Sequence, residues 1–242
     1  MKFFGEGLPR VNADKLTGKL IVIEGADGSG RSTQIRLLTD WLEGHGYATV
    51  NVGLKRSNLV SAELEAAMQG NVLSPITFSL FYATDFADQL ENIIVPALRA
   101  GLLVLADRYI YTLIARDIVR GSNPEWVKSL YSIALVPDVV FYLDVAPRFL
   151  VERNMQKSAQ LDYWESGMDI RLSRDIFDSF IRYQRLMRNE FRRMSEKYNF
   201  EVINGNRTPR SIALDLQKHV VPLLRAQEAE KGQGITHANG MI

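Results

Sequence analysis

The sequence predicts an α/β fold, a five-stranded parallel sheet with helices on both faces. Three observations carry this. Five short apolar runs recur along the 242 residues and read as strands, the first of them, Lys19 to Glu24, of the kind buried on both faces. Helical patterns separate each run from the next, which argues for parallel strands joined by crossover helices. The chain is 46% hydrophobic, enough for one compact domain with a sizeable core.

The elements follow in order. Residues 1–18 show no clear period and are expected to be an N-terminal extension ending at Thr17-Gly18. Lys19 to Glu24 is the first strand, followed by a glycine-rich loop from Gly25 to Gly30. The apolar positions Ile35, Leu37, Leu38, Trp41 and Leu42 then mark a helix that Gly44 and Gly46 stop. Residues 47–52 read as strand two, 58–69 and 75–100 as helices, the second breaking near Pro96. Strand three covers 102–106 and ends at Asp107-Arg108-Tyr109. Helices over 111–120 and 124–135 lead to strand four at 139–143. A helix over 147–156, a polar irregular stretch at 157–173 and a long helix over 174–198 precede strand five at 200–203. A helix over 209–225 closes the domain, which spans 19–225, and 226–242 is expected to be a disordered tail.

Composition excludes several function classes. The formal net charge is +1, so no bulk electrostatic pull toward nucleic acid or membrane is expected. There are no cysteines, hence no disulfides or thiolate metal sites. His45, His219 and His237 lack metal-ligand spacing. No run of 18 apolar residues and no secretory h-region is present, which makes the cytoplasm the default expectation.

Gly25-Ala26-Asp27-Gly28-Ser29-Gly30-Arg31-Ser32, followed by Thr33, fits the phosphate loop G-x-x-x-x-G-K-[ST] at every position but one. Its glycines let backbone amides approach phosphate oxygens, and the helix behind it presents unpaired N–H groups to the same anion. Ser32 is placed to offer a hydroxyl to magnesium. The departure is Arg31, where the motif has lysine. Arginine is also a cation, but longer, planar and bidentate, so it neutralises β- and γ-phosphates from a different angle. The context, strand before and helix after, specifies a three-layer P-loop NTPase fold. The plainer alternative is a glycine-rich turn.

Asp107 and Arg108 end a buried strand, and ligands of open parallel sheets bind at the carboxyl ends of strands. An aspartate there holds a magnesium-bound water or steers the attacking oxygen, and an arginine clamps a second phosphate. The plainer alternative is a strand-end ion pair.

At this point the sequence resembles a family. IVIEGADGSGRSTQ, then LFYATDFADQLENIIVPALRAGLLVLADRY, then PDVVFYLDVAPRFLVER resemble, in order, the phosphate loop, the acceptor helix with its DRY motif, and the fourth strand of thymidylate kinases. The matches span roughly residues 19–205. The resemblance implies a nucleoside monophosphate kinase using ATP and magnesium, nucleotide substrates, and a homodimer. It places Asp27 near the acceptor sugar, Arg56, Arg108 and Tyr109 around the acceptor, and Phe81 in the base-stacking role. Gly28 stands where some members carry a catalytic arginine. Members lacking it use a basic residue in a mobile lid, so Arg153, Lys157, Arg171 and Arg174, in or beside 157–173, become the candidates.

The pattern departs at the base. The family's arginine four residues after the stacking aromatic is Asp85 here, and S-x-A-Y-Q after DRY is replaced by Thr112 to Asp117. Asp85 can accept from a base amino group, Arg116 can restore a donor, or the two can pair to pack the wall; the sequence leaves these open. Three functions compete. The first is ATP-dependent phosphoryl transfer to thymidylate or a related monophosphate. The second is a nucleotide-binding protein of the same fold with little catalysis. The third is another P-loop small-molecule kinase. A switch GTPase is disfavoured because no N-K-x-D guanine reader is present.

Overall fold

The structure, a computed structural model, describes residues 1–69 and 73–238, with side chains as far as residue 229. Five strands, β1 (Lys19–Glu24), β2 (Thr49–Gly53), β3 (Leu103–Asp107), β4 (Val139–Asp144) and β5 (Glu201–Asn204), form one parallel sheet in the order β2-β3-β1-β4-β5. All five expected strands are present, shifted by two residues or fewer. Successive side chains of a strand point to opposite faces, and this splits the core in two. Leu20, Val22, Val104, Ala106 and Tyr142 pack into one apolar cluster, whereas Ile21, Ile23, Leu105, Phe141 and Leu143 pack into the other.

The helices are α1 (Arg31–Gly44), α2 (Ser61–Gln69), α3 (Pro75–Gln89), α4 (Val95–Arg99), α5 (Ile110–Val119), α6 (Pro124–Leu130), α7 (Pro147–Ser158), α8 (Ile176–Tyr198) and α9 (Pro209–Ala238). The face opposite α3, α5 and α8 is covered by α1 and α9, which pack on the second cluster through Leu38, Leu42, Leu216 and Val220. Caps fix where helices begin. Ser74 accepts from the Thr77 amide ahead of Pro75, and Asp175 accepts from the Asp178 amide at 2.8 Å.

Three stretches differ from expectation. The helix expected over 75–100 is divided by a π-turn at Leu90–Ile94. Pro96 lacks the amide that an α-helix would point back to residue 92, and the wider turn absorbs the gap. The helix expected over 124–135 stops at Leu130, because the following residues pair with the N-terminal extension: Phe3 bridges Leu135 and the Val136 amide donates to the Lys2 carbonyl at 2.9 Å. The closing helix runs on to Ala238 rather than ending at 225. Buried Gln227, expected in a disordered tail, donates to the Thr17 and Gly101 carbonyls at 3.0 and 3.1 Å. Of that expected tail, residues 239–242 lie outside the described residues. No helix among the described residues is long and apolar enough to cross a membrane.

Candidate active site

β1, β3 and α1 meet at the carboxyl edge of the sheet. Glu24, fully buried at the end of β1, accepts from the Tyr109 and Thr112 amides at 3.0 and 3.2 Å and from the Thr112 hydroxyl at 2.5 Å. This ties the root of the phosphate loop to the start of α5. Burial pushes the Glu24 carboxyl up to about 7, against the pull of its hydrogen bonds and of Arg31 and Arg108.

The loop from Gly25 to Gly30 curls over the start of α1, with Gly28 at φ +79° and Gly30 at φ +97°. A side chain at 28 is excluded twice. The φ lies in the left-handed region, and a Cβ would stand 2.9 Å from the Asn154 amide nitrogen. That nitrogen donates to the Asp27 carbonyl at 3.0 Å. A side chain at 28 would therefore carry backbone strain and displace the Asn154 amide. Arg153 is the α7 cation that reaches the loop, donating to the Gly28 and Gly205 carbonyls at 3.2 and 3.1 Å. Lys157, Arg171 and Arg174 are exposed and do not line the cleft described below.

Arg31 is 8% exposed and points inward. Its Nε donates to Asp107 Oδ1 at 2.8 Å, one terminal nitrogen to the Gly25 and Ala26 carbonyls at 2.5 Å each, and the other to Asp27 Oδ1 at 3.3 Å. The Ser32 hydroxyl donates to Asp107 Oδ2 at 3.1 Å. Burial pushes the Asp107 carboxyl up, but Arg31, Arg108 and the Ser32 bond outweigh it and hold the group below its ordinary range. The two expected magnesium ligands thus lie together as an oxygen pair. Such a donor set suits an ion that keeps most of its water and takes one or two carboxylates plus phosphate.

Arg108 follows β3 with φ +69°, a conformation few non-glycine residues adopt, held by its own amide on the Ile23 carbonyl at 3.0 Å. Its guanidinium donates to Asp27 Oδ1 and to Glu165 Oε1, both at 3.0 Å, and its buried Nε has no partner. Asp27 is held well below the usual carboxylate range by Arg108 first, against burial, with Arg31 adding to the pull. Arg116 also donates to Glu165 Oε1, and to the Tyr82 hydroxyl at 3.4 Å. These groups line a cleft of about 210 Å³ beside the phosphate loop. Six cations (Arg31, Lys55, Arg56, Arg108, Arg116 and Arg120) face four carboxylates there (Asp27, Asp107, Asp162 and Glu165), leaving two positive charges in excess.

Three expected acceptor contacts are corrected. Asp85 is fully buried and its oxygens accept from the Lys55 and Ser57 amides at 2.9 Å and from Gln89 at 3.1 Å. It shapes the loop after β2, does not line the cleft, and does not pair with Arg116. Phe81 packs against the core, and the aromatic wall of the cleft is instead Phe78, Tyr82 and Trp164. Tyr109 is buried with its hydroxyl on the Leu135 carbonyl at 3.1 Å. Arg56 does border the cleft, 3.9 Å from Asp107.

Comparison with known proteins agrees with this geometry. The thymidylate kinase family model matches residues 23–211. The chain belongs to the thymidylate kinase family. It is 38% identical over 204 residues to a probable thymidylate kinase 2 of Saccharolobus solfataricus, covering 84% of this chain and 95% of that one. Similarity to a probable thymidylate kinase of Thermococcus kodakarensis is 30% over 195 residues (76% and 88% of the two chains). A thymidylate kinase of Caldanaerobacter subterraneus subsp. tengcongensis is 31% identical over 173 residues (69% and 82%). The family makes the chain a P-loop nucleoside monophosphate kinase that uses ATP.

Sequence reasoning missed Trp164 and Glu165, which it left inside a polar stretch. A large aromatic beside a carboxylate in an otherwise polar segment was the available signal, since a buried tryptophan seeks both an apolar face and a hydrogen-bond partner.

Proposed function

We propose that this chain transfers the γ-phosphate of ATP to thymidylate. The observation that carries the reading is Arg108: a buried guanidinium with an unpartnered Nε, in a cleft two positive charges in excess, directly beside the phosphate loop. A phosphate monoester dianion supplies the matching charge and the missing acceptor. The triphosphate lies along the loop amides from Gly25 to Ser32 and the start of α1. Arg108 and Arg116, with Arg56 at the rim, hold the acceptor phosphate, and Asp27 borders its sugar. An acceptor phosphate oxygen bonds to the γ-phosphorus as the bond to the β,γ-bridging oxygen breaks, leaving ADP. Arg31 and Arg153 offset the charge that develops on the transferred group. Ser32 and Asp107 would hold magnesium, which would neutralise charge on the phosphates.

The reading extends to a cytoplasmic homodimer. In its support, Ile76 and Leu80 expose a large apolar surface one turn apart on α3. Sedimentation of the whole chain at micromolar concentration should give a dimer; a monomer refutes that part.

A coupled ADP-release assay over a panel of monophosphates tests the reaction. Thymidylate should give the highest kcat/KM, and chelation of magnesium should abolish turnover. ATP binding with no monophosphate turned over would instead support the reading as a nucleotide-binding protein.

A further inference from the structure

A second cavity lies at the amino edge of the sheet, opposite the phosphate loop. It measures about 910 Å³, against about 210 Å³ for the cleft beside the loop. Residues 136–140 and 197–199 line it, and these stretches lead into the starts of β4 and β5. In a parallel sheet the strands all start at one edge, so the cavity and the phosphate loop stand at opposite ends of the same strands. The N-terminal extension builds another wall. The Phe4 and Gly5 amides donate to the Ala134 and Ser132 carbonyls at 2.7 and 2.9 Å, which pins residues 2–6 across the cavity. Those residues precede the stretch 23–211 that matches the family model, so this wall is no part of what that model describes.

The lining combines aromatic rings with cations. Phe4, Tyr111 and Tyr198 meet pairwise, with ring centroids 6.4, 5.6 and 5.4 Å apart. Tyr111 is 2% exposed, yet its hydroxyl has no hydrogen-bond partner among the described residues. A buried tyrosine hydroxyl ordinarily has one. Burial raises the Tyr111 phenol above its ordinary range, so the group stays a donor in want of an acceptor. Three lysines and three carboxylates also line the cavity. Two of the carboxylates are engaged: Glu125 accepts from Lys128 Nζ at 2.5 Å, and Asp138 accepts from the Leu20 amide at 2.7 Å. Lys2 and Lys197 have no ion-pair partner among the described residues, and the Lys197 ammonium stands 5.1 Å from the centre of the Tyr198 ring. Glu6 is the one carboxylate of the lining left to oppose them.

We propose that this cavity is a second small-molecule site, built for a planar aromatic compound that carries one anionic group. Its volume lies within the range of roughly 300–1,000 Å³ that ligand pockets span. The rings of Phe4 and Tyr198 take the planar part by stacking or edge contact. Lys2 and Lys197 supply the opposite charge, and the Tyr111 hydroxyl gains the acceptor it lacks. The site is separate from the acceptor cleft and stands whether or not thymidylate is the acceptor.

An NMR titration of the whole chain tests this, with 2-naphthoate as the probe. Saturable shifts should centre on the amides of Phe3, Phe4, Ser132 and Asn199, and an ATP analogue with thymidylate should leave the affinity unchanged. Shifts that do not saturate, or that centre on Gly25 to Ser32, would overturn the proposal, as would displacement of the probe by the nucleotides. The neutral 2-naphthylmethanol has the same rings and should bind about tenfold more weakly; equal binding would refute recognition of the anion. Tyr111→Phe keeps the ring and removes only the hydroxyl, so 2-naphthoate should bind it about three- to tenfold more weakly. Unchanged affinity in that variant would take the Tyr111 hydroxyl out of the site and refute its part in the recognition.

Discussion

Replacing Arg31 tests the most unusual feature of the phosphate loop. Its guanidinium spends all three nitrogens on the protein: Asp107 at 2.8 Å, the Gly25 and Ala26 carbonyls at 2.5 Å, and Asp27 at 3.3 Å. Arg31→Ala leaves two carboxylates without that cation and orphans two carbonyls. Removing one partner of a buried ion pair costs about 3–5 kcal/mol. At 2–4 °C per kcal/mol for a chain of this size, Tm should fall by about 10 °C. Turnover should fall by about two to three powers of ten, because charge on the β- and γ-phosphates then goes unopposed as the phosphoryl group leaves. Arg31→Lys keeps the charge on a compact head with three donors and gives up the fork to Asp107. It should keep or raise kcat, with a smaller loss of Tm. Coupled ADP release at saturating substrates, alongside thermal denaturation, measures both. An alanine variant with the parent's kcat would place Arg31 outside the chemistry. An inactive lysine variant would show that the fork itself is required.

Arg108→Ala should lower kcat/KM for the monophosphate by about two to three powers of ten with little change in ATP affinity; equal losses on both substrates would refute the placement of the acceptor phosphate. Asp107→Asn should leave both substrates bound in equilibrium titrations and slow the transfer step in single-turnover kinetics. Asp85→Ala orphans the Lys55 and Ser57 amides at about 1–3 kcal/mol each. It should lower Tm and raise the acceptor KM without altering base preference; a changed preference would restore Asp85 as a base reader. Glu24 gives a pH signature. Its carboxyl is raised from 4.5 to about 7 by burial, so the unfolded chain ionises first as pH rises. Its contribution to stability is full below 4.5 and is lost as pH rises to about 7, a fall of up to about 3 kcal/mol. Glu24→Gln should flatten that window in chemical denaturation; parallel curves for the two proteins would refute it.

The sheet was legible because its signal is local and redundant. The three central strands are unbroken apolar runs, as in Leu20 to Ile23 or Val140 to Leu143, and a strand buried on both faces cannot read otherwise. The phosphate loop and Asp107-Arg108 were legible because motif spacing fixes them to the ends of β1 and β3. What stayed hidden depends on partners distant in sequence. Asp85 looks like a free reader until the Lys55 and Ser57 amides, some thirty residues earlier, take its oxygens. Phe78 and Phe81 lie three residues apart on one helix, so composition cannot say which faces the cleft. The end of α6 is set by the N-terminal extension over a hundred residues earlier, and the docking of Glu165 by two arginines 57 and 49 residues before it.

One arrangement joins these observations. Asp27 Oδ1 accepts from both Arg31 and Arg108, and Asp107 accepts from Arg31 and Ser32. The donor half of the site and the acceptor half therefore share carboxylates. The buried arginines of the cleft nearest the loop are already engaged, Arg31 by Asp107 and Asp27, Arg108 by Asp27 and Glu165, and Arg116 by Glu165. Buried arginines left unpaired would be costly, so the empty protein needs these carboxylates to fold. Of the three carboxylates, Asp27 and Asp107 lie on the phosphate loop and on β3, which the sheet holds fixed. Glu165 lies on a segment between two helices, with no strand to anchor it. Glu165 is therefore held by its own contacts, with Arg108 and Arg116 on its carboxylate and Gln184 on its carbonyl, rather than by the sheet.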